Sequence, residues 1–356
     1  MTVPSPDAHD SSGSEPIAFA EVLKELEGPA GLSGETARRA FDAVLSGSWT
    51  QSQIAGLLVG LRMRPDDPTV LAAAVQSMRK AMVRVPHDFP LVVDTCGTGG
   101  DGHGTLNLST ASAIIVAAAG HIVAKHGNRA VSSRAGSADV LAALGIPLDL
   151  TPLQSTAVLK DVGISFLLAP THHPAMRFAM PVRRELGVRT IFNCLGPMAN
   201  PAMATHQLVG AFSQEIRPLL AKTLGLVGTA RVWVVCGLDG LDEISPFVRT
   251  RVTEVCQGVT REFEVCPEDF GLSPSPAGAI AGGDAEQNAK QLADILRGVT
   301  HPATDAVLLN AAAALVVAED IPFKDAKEKA HAVLLNGLAS RKLEDWQRAA
   351  QRQKSQ

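Results

Sequence analysis

The chain has 356 residues, of which 46% are hydrophobic and 19% charged, and a formal net charge of −4. That length points to about two domains, and the apolar fraction is ample for folded cores, which excludes disorder as the general state. A slightly acidic chain lacks the basic surplus of a dedicated nucleic-acid coat, so no nucleic-acid partner is expected, though one local basic pocket stays compatible.

Residues 1–17 are rich in Ser, Asp and Pro and read as a disordered tail, not as a signal peptide. Residues 18–89 read as a small helical domain. Phe19, Val22, Leu23 and Leu26 share one helix face, Ser33 caps a second helix, and Thr50 caps a third that carries Ile54, Leu57, Leu58 and Leu61. A fourth helix over 69–83 aligns Leu71, Val75 and Met78.

The character changes at Pro90. A strand at 91–93, a Gly-rich loop, an Ala-rich helix over 109–119 and a strand at 122–124 form the unit expected of a parallel sheet. Further strands are expected at 165–168, 208–212 and 232–236. Helices alternate with them at 152–162, 214–226, 284–296, 304–317 and 323–339, so the fold class is α/β with a mostly parallel central sheet. The α/β domain spans 90–169 and 191–350. Residues 170–187 read as helical and are expected to pack back on the N-terminal bundle, completing that domain with about 170–190.

Five cysteines, Cys96, Cys194, Cys236, Cys256 and Cys266, lack C-x-x-C spacing, which reads as reduced thiols in a cytoplasmic protein without a structural zinc. The longest apolar runs, 111–124 and 306–318, are interrupted and shorter than the roughly 20 residues of a spanning helix, so no membrane association is expected.

Four loops carry chemistry. Gly97, Gly99 and Gly102 follow the first α/β strand and satisfy G-x-G-x-x-G. The dinucleotide fingerprint also wants an acid at the end of the second strand, where this chain has Lys125 and His126, and the Gly-Lys-Ser/Thr of a Walker loop is absent. Glycines that bring backbone N–H groups close to an anion remain, and phosphate or pyrophosphate is the natural guest. Asn107, Ser109 and Thr110 open the next helix, where free N–H groups and the dipole favour an anion, and Ser109 can offer its oxygen to magnesium. The run 125–137, with Lys125, Arg129 and Arg134, leaves the neighbouring strand and reads as a second phosphate clamp. Asp242 and Glu243, beside Gly240, are adjacent carboxylates suited to magnesium when the substrate is a diphosphate.

Taken together, GTGGDG, NLSTAS, KHGNRAVSS, GSADVL, HPAM, PVR, RTIFNCLGPMANP and GLDEIS resemble the anthranilate phosphoribosyltransferase family, in its order and spacing, from about Phe19 to Ala339. The resemblance implies a nucleoside phosphorylase/phosphoribosyltransferase-like fold of a small helical and a larger α/β domain, and a homodimer through the helical domains. It implies transfer of phosphoribose from phosphoribosyl pyrophosphate to the amine of anthranilate, a step of tryptophan biosynthesis, with two magnesium ions in each active site. Carried over, Gly97, Gly100, Asp101, Thr105, Asn107, Leu108, Ser109 and Thr110 contact the donor, as do Lys125, His126, Gly127, Asn128, Arg129, Ala130, Val131, Ser132, Ser133 and Ser137. Gly97, Asn128, His173 and Arg183 contact anthranilate, Ser109, Asp242 and Glu243 hold the metal, and Lys125 adds positive charge. Ala135, Ala142, Cys96 and Leu106 depart from the usual pattern without removing a phosphate or metal group. A pyrimidine nucleoside phosphorylase and a non-catalytic nucleic-acid-binding relative of the same fold are the alternatives. The intact KHGNRAVSSRAGSAD run, Arg183 and the retained acidic pair weigh against them.

Overall fold

Four helices open the computed structural model, which describes residues 16–64, 66–100, 102–130 and 134–356. They are α1 (Phe19–Glu27), α2 (Gly34–Ser46), α3 (Gln51–Arg62) and α4 (Pro68–Ala81). Local chemistry fixes their starts. Ser33 Oγ accepts the Thr36 N–H, Thr50 and Gln53 form a reciprocal capping box, and Asp67 accepts the Thr69 N–H beside Pro68. Gly47 ends α2 at φ +75°, and a side chain there would overlap the Phe178 ring, so segment 174–178 packs on this turn.

The sheet has seven strands: β1 (Val93–Gly97), β2 (Val123–Gly127), β3 (Ile164–Leu168), β4 (His206–Gly210), β5 (Arg231–Gly237), β6 (Thr250–Cys256) and β7 (Val259–Val265), in the order β3-β2-β1-β4-β5-β6-β7. The first five in that order run parallel; β6 pairs antiparallel to β5, and β7 antiparallel to β6. The chain steps outward from β1 to β3, then returns to the other side of β1 for β4. The carboxyl ends of β1 and β4 therefore flank a topological switch point, where open α/β sheets bind ligands.

Helices α5 (Leu108–Ala118), α6 (Ser137–Ala143) and α7 (Pro152–Val162) connect β1, β2 and β3, and α11 (Ile216–Leu226) connects β4 to β5, after the short α8 (Ala169–His172), α9 (Met180–Leu186) and α10 (Phe192–Leu195). The chain ends in α12 (Ala285–Leu296), α13 (Thr304–Glu319), α14 (Phe323–Leu335) and α15 (Leu338–Lys354). One core packs α5 and α13 against the sheet through Ile114, Trp233, Leu309 and Leu315. A second runs from Phe41, Val44 and Leu57 through Val182 and Leu195 to Val209, Val232 and Val234. Helical part and sheet thus share one apolar cluster, and burial of that surface, worth roughly 25 cal/mol per Å2, fixes their relative placement.

Several expectations shift. Of the expected tail, residues 1–15 lie outside the described residues, whereas Ile17 is buried and its carbonyl accepts from Trp49 Nε1 at 3.1 Å. The helix expected over 170–187 is broken into α8, a 3-10 turn at Pro174–Phe178 and α9. His173, at φ −120° and ψ 57°, leaves the helical region before Pro174, as a residue before proline tends to do. The 3-10 turn packs on α2, and α9 packs on α3. The expected 323–339 helix ends at Leu335, and Gly337 at φ +65° starts α15 in a new direction. The β6–β7 hairpin is an addition to the expected strands; Gln257 and Gly258, at φ 48° and 81°, make its two-residue turn. Among the described residues no single helix is long and apolar enough to cross a membrane; α13 and α14 reach that composition only as a pair bent by 117°.

Candidate active site

The turn after β1 exists only because it is glycine. Gly99, Gly100, Gly102 and Gly104 have φ of 68°, 80°, 81° and 62°, a region other residues enter at a cost. Asp242 comes to this turn from the loop after β5, and its Oδ2 accepts the Gly99 N–H at 3.0 Å. A Cβ on Gly97 would lie 2.8 Å from the same oxygen, and one on Gly210 would overlap the Asp242 carbonyl. The acidic loop therefore lies directly across the ends of β1 and β4, in the switch-point crevice.

Glu243 reaches the start of α5, where its Oε1 accepts the Ser109 N–H at 3.1 Å. Beneath this point Lys125, on β2 and 2% exposed, donates to Ser109 Oγ at 3.2 Å and to the Thr95 carbonyl. Burial lowers the lysine pKa, against the opposing pull of Asp94, Cys96 and Glu243. Two of the three ammonium donors are thus placed inside the protein. Asp94, fully buried, accepts from the His126 N–H at 3.1 Å and Asn200 Nδ2 at 2.8 Å; burial raises its pKa and Lys125 opposes the rise.

The acidic loop is held from behind. Asn310 on α13, with no exposed surface, accepts the Ile244 N–H at 2.8 Å and donates to the Ile244 carbonyl at 3.0 Å. Ser245 Oγ donates to Asp239 at 2.7 Å. This clamp holds Asp242 and Glu243 on a rigid support.

The second loop follows β2. Asp139, at the start of α6, accepts the Ala130 and Gly136 N–H groups at 2.9 and 3.0 Å and pairs with Arg129 at 3.0 Å. These bonds outweigh its burial and lower its pKa. They hold Ala130 and Gly136 at the start of α6, where Ser137 Oγ donates to the Asn128 carbonyl at 3.5 Å, and Gly127 has no room for a side chain beside Ser137 and Phe166. Asn107 does not cap α5. It donates to the Ala135 carbonyl and accepts from Asn288, so it ties the two loops to the start of α12. Leu106 and Thr105 are strapped to Ile280 and Ala281. Leu108 and Thr110 are buried, and their N–H groups already bond to Leu106 and Asn107. Asp101, Val131, Ser132 and Ser133 lie outside the described residues.

On the other side of the crevice, His126 and His173 are buried with ring centroids 5.2 Å apart. His126 Nδ1 lies 3.0 Å from the Gly196 carbonyl. Burial, helped by the neighbouring His173, holds the pKa of His126 well below the usual range. Arg183, on α9, is half-buried, sits over the Phe192 ring at 5.6 Å and has no carboxylate partner among the described residues. Burial lowers its pKa. No hydrogen bond joins Arg183 to Gly97, Asn128 or His173 among the described residues.

The structure thus brings Gly97, Gly99, Ser109, Lys125, Asp242 and Glu243 into one connected cluster, with Asn128 and Ser137 on the next loop. Sequence reasoning missed Asp94, Asp139, Asn200, Asn288 and Asn310, which place these groups. A single amide in the apolar run of α13 was the available signal for Asn310. The oxygens of Ser109, Asp242 and Glu243 are hard donors, and no group of three or more His, Cys, Asp or Glu side chains able to hold a metal occurs among the described residues. Oxygen donors of this kind are chemically compatible with a hard cation such as magnesium.

Residues 90–340 match the a/b domain of the glycosyl transferase family, and residues 20–82 match its helical bundle domain. The chain is 45% identical over 329 residues to an anthranilate phosphoribosyltransferase of Desulfatibacillum aliphaticivorans, covering 92% of this chain and 97% of that one. The solved anthranilate phosphoribosyltransferase of Thermus thermophilus superposes with a TM-score of 0.87 at 40% identity, over 93% of this chain and 99% of that one. The Saccharomyces cerevisiae enzyme, solved in complex with PRPP and Mg, gives 0.86 at 27% identity, over 94% and 98%. With this agreement of sequence and architecture across both parts, the chain belongs to the anthranilate phosphoribosyltransferases of the glycosyl transferase family.

Proposed function

We propose that this site transfers the 5-phosphoribosyl group of phosphoribosyl pyrophosphate to the amine of anthranilate, releasing pyrophosphate. The observation that carries this reading is the meeting of the glycine turn, the α5 N-terminus, buried Lys125 and the Asp242–Glu243 pair at the switch point. The bond from ribose C1 to the pyrophosphate oxygen breaks, a C1–N bond forms, and the amine proton leaves to solvent. Anthranilate's neutral amine is already a nucleophile, so the protein positions reactants and stabilises charge and needs no strong base.

The Gly99 N–H of the glycine turn and the Ser109 N–H of α5, released by Asp242 and Glu243, take the leaving diphosphate, Lys125 acts from below through Ser109, and the 127–137 loop takes the 5-phosphate. Arg183 provides a forked donor for the anthranilate carboxylate, and His173 lines the same route. Ser109, Asp242 and Glu243 would hold the magnesium, two ions in this reading, which when bound would neutralise the leaving diphosphate. The helical domain (18–89, completed by about 170–190) supplies the acceptor side and a homodimer contact. Leu23 on α1, Val59 on α3 and Met63 just after α3 are apolar and exposed, Met63 to 81%, and a second helical domain would cover them. The working compartment proposed is the cytoplasm.

Loss of anthranilate fluorescence on addition of phosphoribosyl pyrophosphate and magnesium tests the reaction. Phosphorolysis of thymidine or uridine in place of that loss would overturn it. Sedimentation at micromolar concentration tests the dimer, and a monomer would reject it.

A further inference from the structure

Arg189 lies between the two substrate sides and takes no part in the roles above. It follows α9, three residues beyond the end of the helix that carries Arg183. Its carbonyl accepts from Arg62 Nη1 of α3 at 2.7 Å, which ties it to the helical part. Its guanidinium reaches the other way. One amine donates to the Gly100 carbonyl at 2.5 Å, and the planar group lies over the Phe212 ring at 4.1 Å. It has no carboxylate partner among the described residues.

Phe212 belongs to the same arrangement. Its N–H donates to Thr98 Oγ1 at 3.0 Å, and the Thr98 N–H donates to the Gly210 carbonyl at 2.9 Å. The β4 exit therefore holds the glycine turn at Thr98, and Arg189 holds it at Gly100. Gly99 between these anchors, and Gly102 and Gly104 beyond them, all have positive φ. Such a chain has the most conformational freedom to lose on ordering.

We propose that Arg189 is a positioning residue of the donor site. Seated on Phe212 and bound to Gly100, it pre-orders the glycine turn from the helical side, so that the diphosphate meets a formed N–H cradle. The geometry asks for a flat, forked cation, since stacking uses the face and the carbonyl uses the edge. Lysine supplies the charge without that shape.

The identity of the ligand rests on the function proposed above; the placement of the turn does not. Arg189→Met, Arg189→Lys and Phe212→Leu are compared with the parent protein. Amide hydrogen exchange is read at 97–104 without ligand, and KM is read for each substrate. In Arg189→Met exchange of the turn speeds up about tenfold, and the KM for phosphoribosyl pyrophosphate rises about tenfold while that for anthranilate stays within about twofold. Arg189→Lys recovers part of this, and Phe212→Leu shares the direction. Unchanged exchange at 97–104, an equal rise in both KM values, or full recovery by lysine would each overturn the proposal. A parent protein with no transferase activity would instead sink the functional reading, and the exchange result alone would then decide the case of Arg189.

Discussion

Glu243 caps α5 from a distance: its carboxylate takes the Ser109 N–H although the two residues stand 134 apart in sequence. Asp242 does the same to the Gly99 N–H. These are N–H groups that the sequence reading assigns to substrate phosphate. A helix start and a glycine turn attract negative charge of any origin, and here the protein's own acids supply it. The donor must displace them, and a bound cation gives the two carboxylates a different partner.

Competition of this kind is measurable. The double variant Asp242→Asn, Glu243→Gln is expected to lose turnover at ordinary magnesium, and normal rates would refute the metal assignment. The same variant is expected to bind metal-free pyrophosphate more tightly than the parent, by about tenfold or 1.4 kcal/mol. Calorimetry in the presence of a chelator makes the comparison, and equal affinities would show that the acids do not compete.

Gly210→Ala tests the placement of the acidic loop without touching an acid. The new methyl would overlap the Asp242 backbone carbonyl, and backbone gives way only if the loop moves. Asn310 resists that movement from behind. Overpacking of this sort costs about 1–3 kcal/mol. The expected result is a lower unfolding midpoint and a loss of magnesium-dependent rate of at least about tenfold. A variant with parental kinetics would mean that the loop position is unimportant to the reaction.

Arg183 is a half-buried cation without an acidic partner among the described residues. Partial burial of an unpaired charge is unfavourable, and a carboxylate ligand relieves it. Arg183→Ala is therefore expected to raise the anthranilate KM by about tenfold or more, with the donor KM little changed and no fall in thermal midpoint. A change confined to the donor KM would reassign the residue.

What the sequence displayed, and what it hid, follows from the range of the interactions involved. The apolar cores of the parallel strands are visible as Val-rich triplets. Their polar ends are not, because Asp94 to Gly97 enter the ladder only through pairing with β4 residues more than 100 positions away. The RVTEVC and VTREFEV segments alternate as a hairpin should, and the Gln257-Gly258 turn between them is a legible hairpin signal beyond the strands expected from the sequence. Ser33 and Thr50 cap their helices as expected because capping is local. Asn107 does not, because Ala135 and Asn288 compete for its amide. The substrate loops can be picked out by composition, whereas the residues that aim them, such as Asn310 and Arg189, act across 66 and 89 positions and leave no local mark.

His173 gives the protein a pH dependence with a definite sign. Burial pushes its pKa down to about 4, the neighbouring His172 adds to the effect, and the Ala199 carbonyl opposes it. Between about pH 6.5 and 4 the unfolded chain binds a proton at this position that the folded chain refuses, so stability falls as pH is lowered through that window. The contribution is fully present above 6.5, and its loss by pH 4 is on the order of 3 kcal/mol. His126 is depressed by burial too and acts in the same direction, so His173→Asn should flatten the profile without abolishing it. Urea unfolding midpoints at pH 7 and pH 4.5 make the measurement, and equal slopes for parent and variant would refute the assignment. A neutral imidazole at pH 7 also cannot serve as a cation for the anthranilate carboxylate, which leaves that work to Arg183. The anthranilate KM of His173→Asn should accordingly show the same pH dependence as the parent between pH 6 and 8.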